Sequence, residues 1–444
     1  MPSLPRRALV VGFRRTGQAV ARVLRDHGVA VRVADARDAT ALGVEPAAWP
    51  DVELRLGTDV ADALGDAELV VPSPGVPRGA PVLAAACAAG VPVWSEIELA
   101  ARLLACPIVG ITGTNGKSTT TTLVGAALAA DRPTFTGGNL GTPLALAVAA
   151  APAIAVAEIS TFQLEWTERF RPAVGALLNV TPDHLDRHAD FAEYRDLKAR
   201  LFVAQTAGDH AVLNRDDPET WALRERLAAR VTSFGWSAVA AGAFVDGDAV
   251  VWRVPGAAEE RYGLGRTRLR GRHNVENVCA AVAIARLAGA PPAGVQAAID
   301  GIEPLPHRLA LVAERGGVAW WDDSKATNVG AAVKSLESFD GPVLLLAGGV
   351  DKGGDYAPLA AAARRSVRQA LVFGAARERI AAALGAASVP VRMVASLPVA
   401  VEAAAAAARP GDSVLLAPAC ASFDMFADYA ARGRAFRAAV EALP

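Results

Sequence analysis

Gly110-Ile111-Thr112-Gly113-Thr114-Asn115-Gly116-Lys117-Ser118-Thr119-Thr120 decides how this chain is read. Just before it, Cys106-Pro107-Ile108-Val109-Gly110-Ile111 is an apolar run of buried-strand length, and Thr119 to Ala130 reads as a helix. Strand, glycine-rich turn and helix in that order make a phosphate-binding loop. The glycines let backbone N–H groups turn inward on phosphate oxygens, and the helix N-terminus adds the positive end of its dipole. In such a loop Lys117 reaches the β- and γ-phosphates and the Ser118 hydroxyl sits on Mg²⁺.

On either side of the loop the chain keeps alternating strand and helix. Upstream, Arg7 to Gly12 reads as a strand, about Gln18 to His27 as a helix, and Val29 to Ala34 as a second strand ending at Asp35. This opening is Rossmann-like, but Gly12-Phe13-Arg14-Arg15-Thr16-Gly17 lacks the middle glycine of a dinucleotide fingerprint. Arginines beside a helix N-terminus suit a nucleotide diphosphate instead. Leu69 to Val76 reads as a strand running into a tight turn. Downstream, strands are expected at Ile154–Glu158, Val174–Val180 and Ala211–Asn214, and a helix from about Asn274 to Ala288. Gly301 to Arg308 carries the two prolines of an interdomain connection. Beyond it, Val318–Trp321, Val343–Ala347, Gln369–Phe373 and Ser413–Ala417 read as strands between helices. The expected class is α/β with mostly parallel sheets in three domains. These are a Rossmann-like unit over residues 1–94, a P-loop ATPase-type unit over 95–303 and a second Rossmann-like unit over 304–444.

Composition narrows the function. At 444 residues the chain exceeds one ordinary core, and 52% hydrophobic residues fill two or three. A net charge of −1 leaves no nucleic-acid footprint and no membrane-seeking basic excess. No apolar run reaches spanning length or the form of a secretory leader. Cys87, Cys106, Cys279 and Cys420 are far apart and lack metal spacing, as in a reducing cytoplasm. A soluble cytoplasmic protein is expected.

Several strand ends carry chemistry. Glu158 closes its strand one step from the phosphate loop, where a Mg²⁺ ligand belongs. Asn179-Val180-Thr181-Pro182-Asp183-His184-Leu185-Asp186-Arg187-His188 gathers two of the six histidines with two aspartates. Tyr194, Lys198 and Phe202 share one stripe of the next helix. Lys198 either snorkels from that stripe or is desolvated into a neutral, reactive amine. Asp323-Ser324-Lys325-Ala326-Thr327-Asn328, Gly348-Gly349-Val350-Asp351-Lys352-Gly353-Gly354 and Pro418-Ala419-Cys420-Ala421-Ser422-Phe423-Asp424-Met425-Phe426 each follow a strand of the third segment. Together they suit an anionic amino acid and developing oxyanions.

The loop string Thr112-Gly113-Thr114-Asn115-Gly116-Lys117-Ser118 resembles that of the Mur ligase family, the ATP-dependent ligases of peptidoglycan precursor synthesis. With the three C-terminal strings in the same order across nearly the whole chain, the resemblance is to the family's D-glutamate-adding members. It implies that the first domain holds the UDP group of UDP-N-acetylmuramoyl-L-alanine, the second ATP and the third D-glutamate. Gly113, Thr114, Asn115, Gly116, Lys117, Ser118 and Thr119 would hold the ATP phosphates, with Asn274 and Asn277 beside adenine and Arg308 and Asp323 closing over the nucleotide. Two Mg²⁺ ions are implied, one on Ser118 and Glu158, the other on His184 and a carbamylated Lys198. Thr16, Arg37, Ser73, Asn139 and His184 fall on the UDP-substrate side. Lys325, Thr327, Lys352, Ser422, Phe423 and Tyr429 fall on the amino-acid pocket. The catalytic set so implied is Lys117, Glu158, His184, Lys198, Lys325, Lys352 and Ser422, in a monomer. The sequence departs from the family pattern at Arg14 and Arg15, where Gly-Leu is usual, and at Thr161, Ala417 and Tyr429. Another ligase of the superfamily, such as a folylpolyglutamate synthase, a nicotinamide dehydrogenase and a non-catalytic nucleotide sensor are the alternative readings.

Overall fold

The computed structural model describes residues 4–185 and 187–443. Asp186, part of the histidine-rich cluster, lies outside the described residues. Three sheets succeed one another along the chain. The first holds β1 (Arg7–Val11), β2 (Ala30–Asp35), β3 (Val52–Leu56) and β4 (Leu69–Pro72), all parallel, in the order β3-β2-β1-β4. The order reverses at β1, so the loops after β1 and β4 part there and leave a crevice at their carboxyl ends.

The second sheet holds β5 (Ile108–Thr112), β6 (Thr134–Gly138), β7 (Ile154–Glu158), β8 (Val174–Leu177), β9 (His210–Asn214), β10 (Arg230–Gly235), β11 (Gly242–Asp246), β12 (Ala249–Arg253) and β13 (Glu260–Gly263). Its order is β13-β12-β11-β10-β9-β8-β5-β7-β6. β5 is therefore central, paired in parallel with β7 and β8. All five of its residues are buried. That accounts for its continuous apolar sequence, since a parallel strand is covered on both faces. Val109 and Ile111 join the core beneath the helix Arg272–Leu287, while Ile108 joins the opposite core around Tyr194 and Phe202. β11 to β13 form an antiparallel meander on the far edge, which the sequence reading did not identify.

The third sheet holds β14 (Ala310–Arg315), β15 (Val318–Asp322), β16 (Val343–Gly348), β17 (Val367–Phe373), β18 (Val391–Met393) and β19 (Ser413–Leu416), in the order β14-β15-β19-β16-β17-β18. β19 lies between β15 and β16, parallel to both, with Leu416 opposite Asp322 on one side and Leu346 on the other. Three loops far apart in sequence thus leave adjacent strands side by side. They are the three strings singled out above.

Candidate active site

The phosphate loop leaves β5 at Thr112 and enters the helix Lys117–Ala129 through Gly116, which has φ +84°. A side chain at Gly116 would meet Asn277 Oδ1 at 2.1 Å, so only glycine lets the loop lie against that asparagine. The loop is also held from β8's end: Asn179 Oδ1 accepts from the Asn115 N–H at 2.8 Å, and Asn179 Nδ2 donates to the Asn115 carbonyl at 3.1 Å. Lys117 Nζ donates to the Gly113 and Thr114 carbonyls at 2.8 Å each, which curls its side chain over the loop. Burial lowers the pKa of its ammonium, against the opposing pull of Glu158 and Asp183. Lys198 Nζ donates to the same Gly113 carbonyl at 2.9 Å and lies 4.4 Å from the Tyr194 ring centroid. It is fully buried rather than snorkelling, and desolvation with Lys117 nearby brings its pKa well below the usual lysine range.

Glu158 closes β7 beside the loop. Its Oε1 accepts from Asn139 Nδ2 at 2.7 Å, while Oε2 is buried without a hydrogen-bond partner. His184 sits at φ +56°, a strained conformation for a histidine, with its ring edge-on to Phe162 at 5.0 Å. Asp183 beside it is the joint between the second and third sheets. It accepts from Lys352 Nζ at 3.1 Å and Asn328 Nδ2 at 2.8 Å. Burial pushes its carboxyl up, but Lys352, His184 and Asn328 outweigh that and hold it below the usual carboxylate range. Arg308, in the interdomain connection, donates to Ser118 Oγ at 2.7 Å.

Beside these contacts a cavity of about 580 Å³ opens between the second and third sheets; Lys117, Ser118, Glu158, His184 and Lys352 do not line it. Asn115, Gly116, Thr119, Asn274 and Asn277 line one side, and Arg308, Asp323 and Lys325 the other. Burial pushes the Asp323 carboxyl up to about 6. Burial and Arg308 bring the Lys325 ammonium down to about 8; its Nζ lies 3.8 Å from the Tyr429 ring centroid. A second cavity, of about 630 Å³, opens at the carboxyl edge of the first sheet. Thr16, Arg37, Ser73 and Asn139 line it, as do Arg14 and Arg15. Arg15 also donates to the Gly141 carbonyl at 3.0 Å, linking the first sheet's unit to the second. Asn139 thus links this cavity to the phosphate loop's surroundings: it lines the cavity, and its side chain donates to Glu158.

Not every expected residue faces a cavity. Ser422 is buried, Phe423 is 73% exposed, and Thr327 donates its N–H to the Lys325 carbonyl at 2.7 Å without lining the cavity between the second and third sheets. Conversely, the sequence reading passed over Asp35, whose carboxylate takes Arg37 in a two-point pair at 2.9 and 2.7 Å. It also passed over Glu96, in the wall of the second cavity, whose carboxyl burial pushes up to about 7. Lys334 was missed too, although a signal existed. Only five of the chain's 45 lysines and arginines are lysines. Lys334 lines the cavity between the second and third sheets with Lys325, while Lys117 and Lys198 meet at the Gly113 carbonyl and Lys352 holds Asp183. A residue type so rare, gathered at one place, marks that place.

Three family models match the chain in succession: "Mur ligase MurD-like, N-terminal domain" over residues 6–95, "Mur ligase middle domain" over 111–285 and "Mur ligase, glutamate ligase domain" over 307–420. The chain is 47% identical to a UDP-N-acetylmuramoylalanine–D-glutamate ligase of Geobacter metallireducens, over 98% of this chain and 97% of that protein. It is 49% identical to the ligase of the same name from Anaeromyxobacter dehalogenans, over 97% and 96%. Among solved structures it is similar to the UDP-N-acetylmuramate–alanine ligase of Thermotoga maritima, with a TM-score of 0.60 at 18% identity, covering 97% of this chain and 98% of that one. Matched along nearly all its length by family models and by relatives close to half identical, the chain belongs to the Mur ligase family, in the branch of the UDP-N-acetylmuramoylalanine–D-glutamate ligases.

Proposed function

We propose that the chain is an ATP-dependent ligase that joins D-glutamate to UDP-N-acetylmuramoyl-L-alanine. The observation that carries this reading is the meeting of the third unit with the phosphate loop and the neighbouring loop after β8, through Arg308 of the interdomain connection on Ser118 and two strand-end loops of the third sheet, by Lys352 and Asn328, on Asp183. The UDP group would lie in the cavity at Thr16, Arg37 and Ser73. The uncovered end of the substrate would pass Asn139 and His184 towards the γ-phosphate of ATP. A carboxylate oxygen of the L-alanine attacks that phosphorus, the bond to the β-bridging oxygen breaks, and ADP leaves an acyl phosphate. The neutral amine of D-glutamate then adds to the acyl carbon, loses a proton, and phosphate departs as the amide forms. Lys117 and Arg308 would neutralise the transferring phosphoryl group, and Lys325 and Lys352 would hold the carboxylates of D-glutamate. Thr327, Ser422, Phe423 and Tyr429 complete that pocket in this reading.

The residues present fit Mg²⁺. Glu158 Oε2 is buried without a partner and Ser118 offers a hydroxyl. Among the described residues no group of three or more His, Cys, Asp or Glu is placed to hold a metal ion by itself, so substrate phosphates would have to supply the remaining oxygens. That suits an ion held by one or two protein oxygens plus substrate phosphates. When bound, Mg²⁺ would offset phosphoryl charge at Ser118 and Glu158. A second ion would be held by His184 and Lys198, the latter as a carbamate, for which its depressed pKa supplies the neutral amine. Among the described residues no helix is long and apolar enough to cross a membrane. We assign a cytoplasmic monomer with domain boundaries near 94 and 303. Phosphate release with ATP and UDP-N-acetylmuramoyl-L-alanine, measured across a panel of amino acids, is the test. Release should require D-glutamate. Equal release with L-glutamate, or none with either, would overturn the reading.

A further inference from the structure

Arg432 sits in the final helix, Tyr429–Glu441, whose sequence Tyr-Ala-Ala-Arg-Gly-Arg-Ala-Phe-Arg reads as an ordinary charged surface. Yet Arg432 is 0% exposed, and no other arginine among the described residues is buried as deeply. No carboxylate within ion-pair distance compensates it among the described residues. Burying a charge without a counter-ion is costly, so a guanidinium held this way needs a return elsewhere. Its hydrogen bonds show where. Nε donates to Ser324 Oγ at 3.0 Å and Nη2 to the Ser324 carbonyl at 2.9 Å. Both Nη atoms donate to the Cys420 carbonyl at 3.2 Å. Nη1 also donates to the Ala421 and Gly348 carbonyls at 3.3 Å.

Ser324, Gly348 and Cys420 stand in or at the start of the loops after β15, β16 and β19. One planar fork therefore ties together all three strand-end loops. The surroundings make room for it. A side chain at Gly349 would meet the Ala421 carbonyl at 2.1 Å and Arg432 Nη1 at 3.1 Å. Ser324 Oγ passes the link on, donating to the Tyr429 carbonyl at 2.8 Å. Tyr429 in turn stacks on Lys325.

We infer that Arg432 is a positioning residue for amino-acid recognition: it sets the spacing of the loops bearing Lys325, Lys352 and Ser422 without touching the substrate. The inference rests on those loops holding D-glutamate, as proposed above. Its five-donor geometry explains arginine here, because lysine offers one ammonium to acceptors spread over three loops.

The test compares Arg432→Lys, Arg432→Met and the milder Ser324→Ala with the wild-type full chain in steady-state kinetics for each substrate. Misplacing reacting groups by about 1 Å can cost on the order of a hundredfold. We therefore expect KM for D-glutamate to rise about tenfold or more in Arg432→Lys, further in Arg432→Met, and about threefold in Ser324→Ala. KM for ATP and for the UDP substrate should stay within about twofold. A merely structural role would lower kcat through loss of folded enzyme and leave all three KM values alone. That pattern, or equal rises in all three, would overturn the inference. If Arg432→Met fails to fold, the other two variants carry the test. Thr327→Ala separates the two ways of failing. If it raises KM for D-glutamate while Arg432→Lys and Ser324→Ala do not, only the positioning role falls. If none of them raises it, the loops do not hold the amino acid.

Discussion

Lys325 and Lys198 have the same side chain and different surroundings, and the surroundings set the chemistry. Lys198 loses its water entirely inside the Tyr194 stripe, whereas Lys325 keeps a pKa of about 8, lowered chiefly by burial and then by Arg308. Below pH 8 Lys325 is a cation able to hold a carboxylate; above pH 8 it is neutral. Affinity for a dicarboxylate should therefore be lost as pH rises through that value. Glutarate, which has no amine of its own to titrate, isolates the effect. Its inhibition constant against D-glutamate should be flat from pH 6 to 7.5 and then rise, by up to about tenfold per pH unit. A constant value to pH 9.5 would remove Lys325 from the carboxylate site. Neither environment was written in the sequence at this resolution. The stripe Tyr194-Lys198-Phe202 was legible, but whether its lysine snorkelled or was sealed depended on the loop that closes over it from residues 113 and 114.

Individual elements differed in how far the sequence disclosed them. β5 and its loop were readable because a strand buried on both faces shows an unbroken apolar run, and the glycines mark the turn. The meander β11–β13 was not, because it breaks the alternation of strand and helix by which the rest of the chain is read, although β11 and β12 are as long as β5 and mostly buried. Its turn, Asp246-Gly247-Asp248, with Gly247 at φ +60°, was the hairpin signal present in the sequence and passed over. The final helix, Tyr429–Glu441, hides its buried arginine just before the solvent-facing Arg434 and Arg437. At the N-terminus of the helix Arg15–Asp26, Arg14 and Arg15 line the cavity assigned to the UDP group. Two guanidiniums at the positive end of a helix dipole are a favourable place for a diphosphate and an unfavourable one for the isolated helix. Replacing both with alanine should raise KM for the UDP substrate by about tenfold, given about 0.3–1 kcal/mol per terminal charge plus the lost hydrogen bonds. KM for ATP should be little changed. Steady-state titration of each substrate checks this, and unchanged values for both would leave the arginines to solvent.

At the scale of the whole molecule, an apolar seam joins the first two sheets, with Ala19 and Val23 of the helix Arg15–Asp26 packed into the core that holds Ile97, Leu144 and Ala147, and polar joints reinforce it and link the second sheet to the third. Glu98, fully buried in the helix Glu96–Leu103, accepts from the N–H groups of Glu168, Arg169 and Phe170 and from Arg102 Nε. It thereby fixes the segment entering the second sheet. Asp183 does the corresponding work between the second sheet and the third. The order of the three units and the identity of their loops could be read from the sequence. The joints could not, because each depends on one acidic residue meeting partners from another part of the chain.

The confinement of lysine to the nucleotide cleft gives the molecule a property unrelated to catalysis. Apart from the α-amino group, its primary amines are Lys325 and Lys334 in the wall of that cleft, Lys117 and Lys352 on the loops beside it and the buried Lys198, whereas arginines serve the rest of the surface. Beyond the α-amino group, an acylating reagent directed at amines would thus report on the cleft and the loops beside it, and a guanidine-directed dicarbonyl on the remainder. Saturating ADP should slow acylation at Lys334 and Lys325 severalfold, read by peptide mass, while dicarbonyl modification of the outer arginines proceeds unchanged. Equal acylation with and without nucleotide would show that these amines do not face the bound nucleotide. The chain in effect carries its own affinity label site, written in the scarcity of one amino acid.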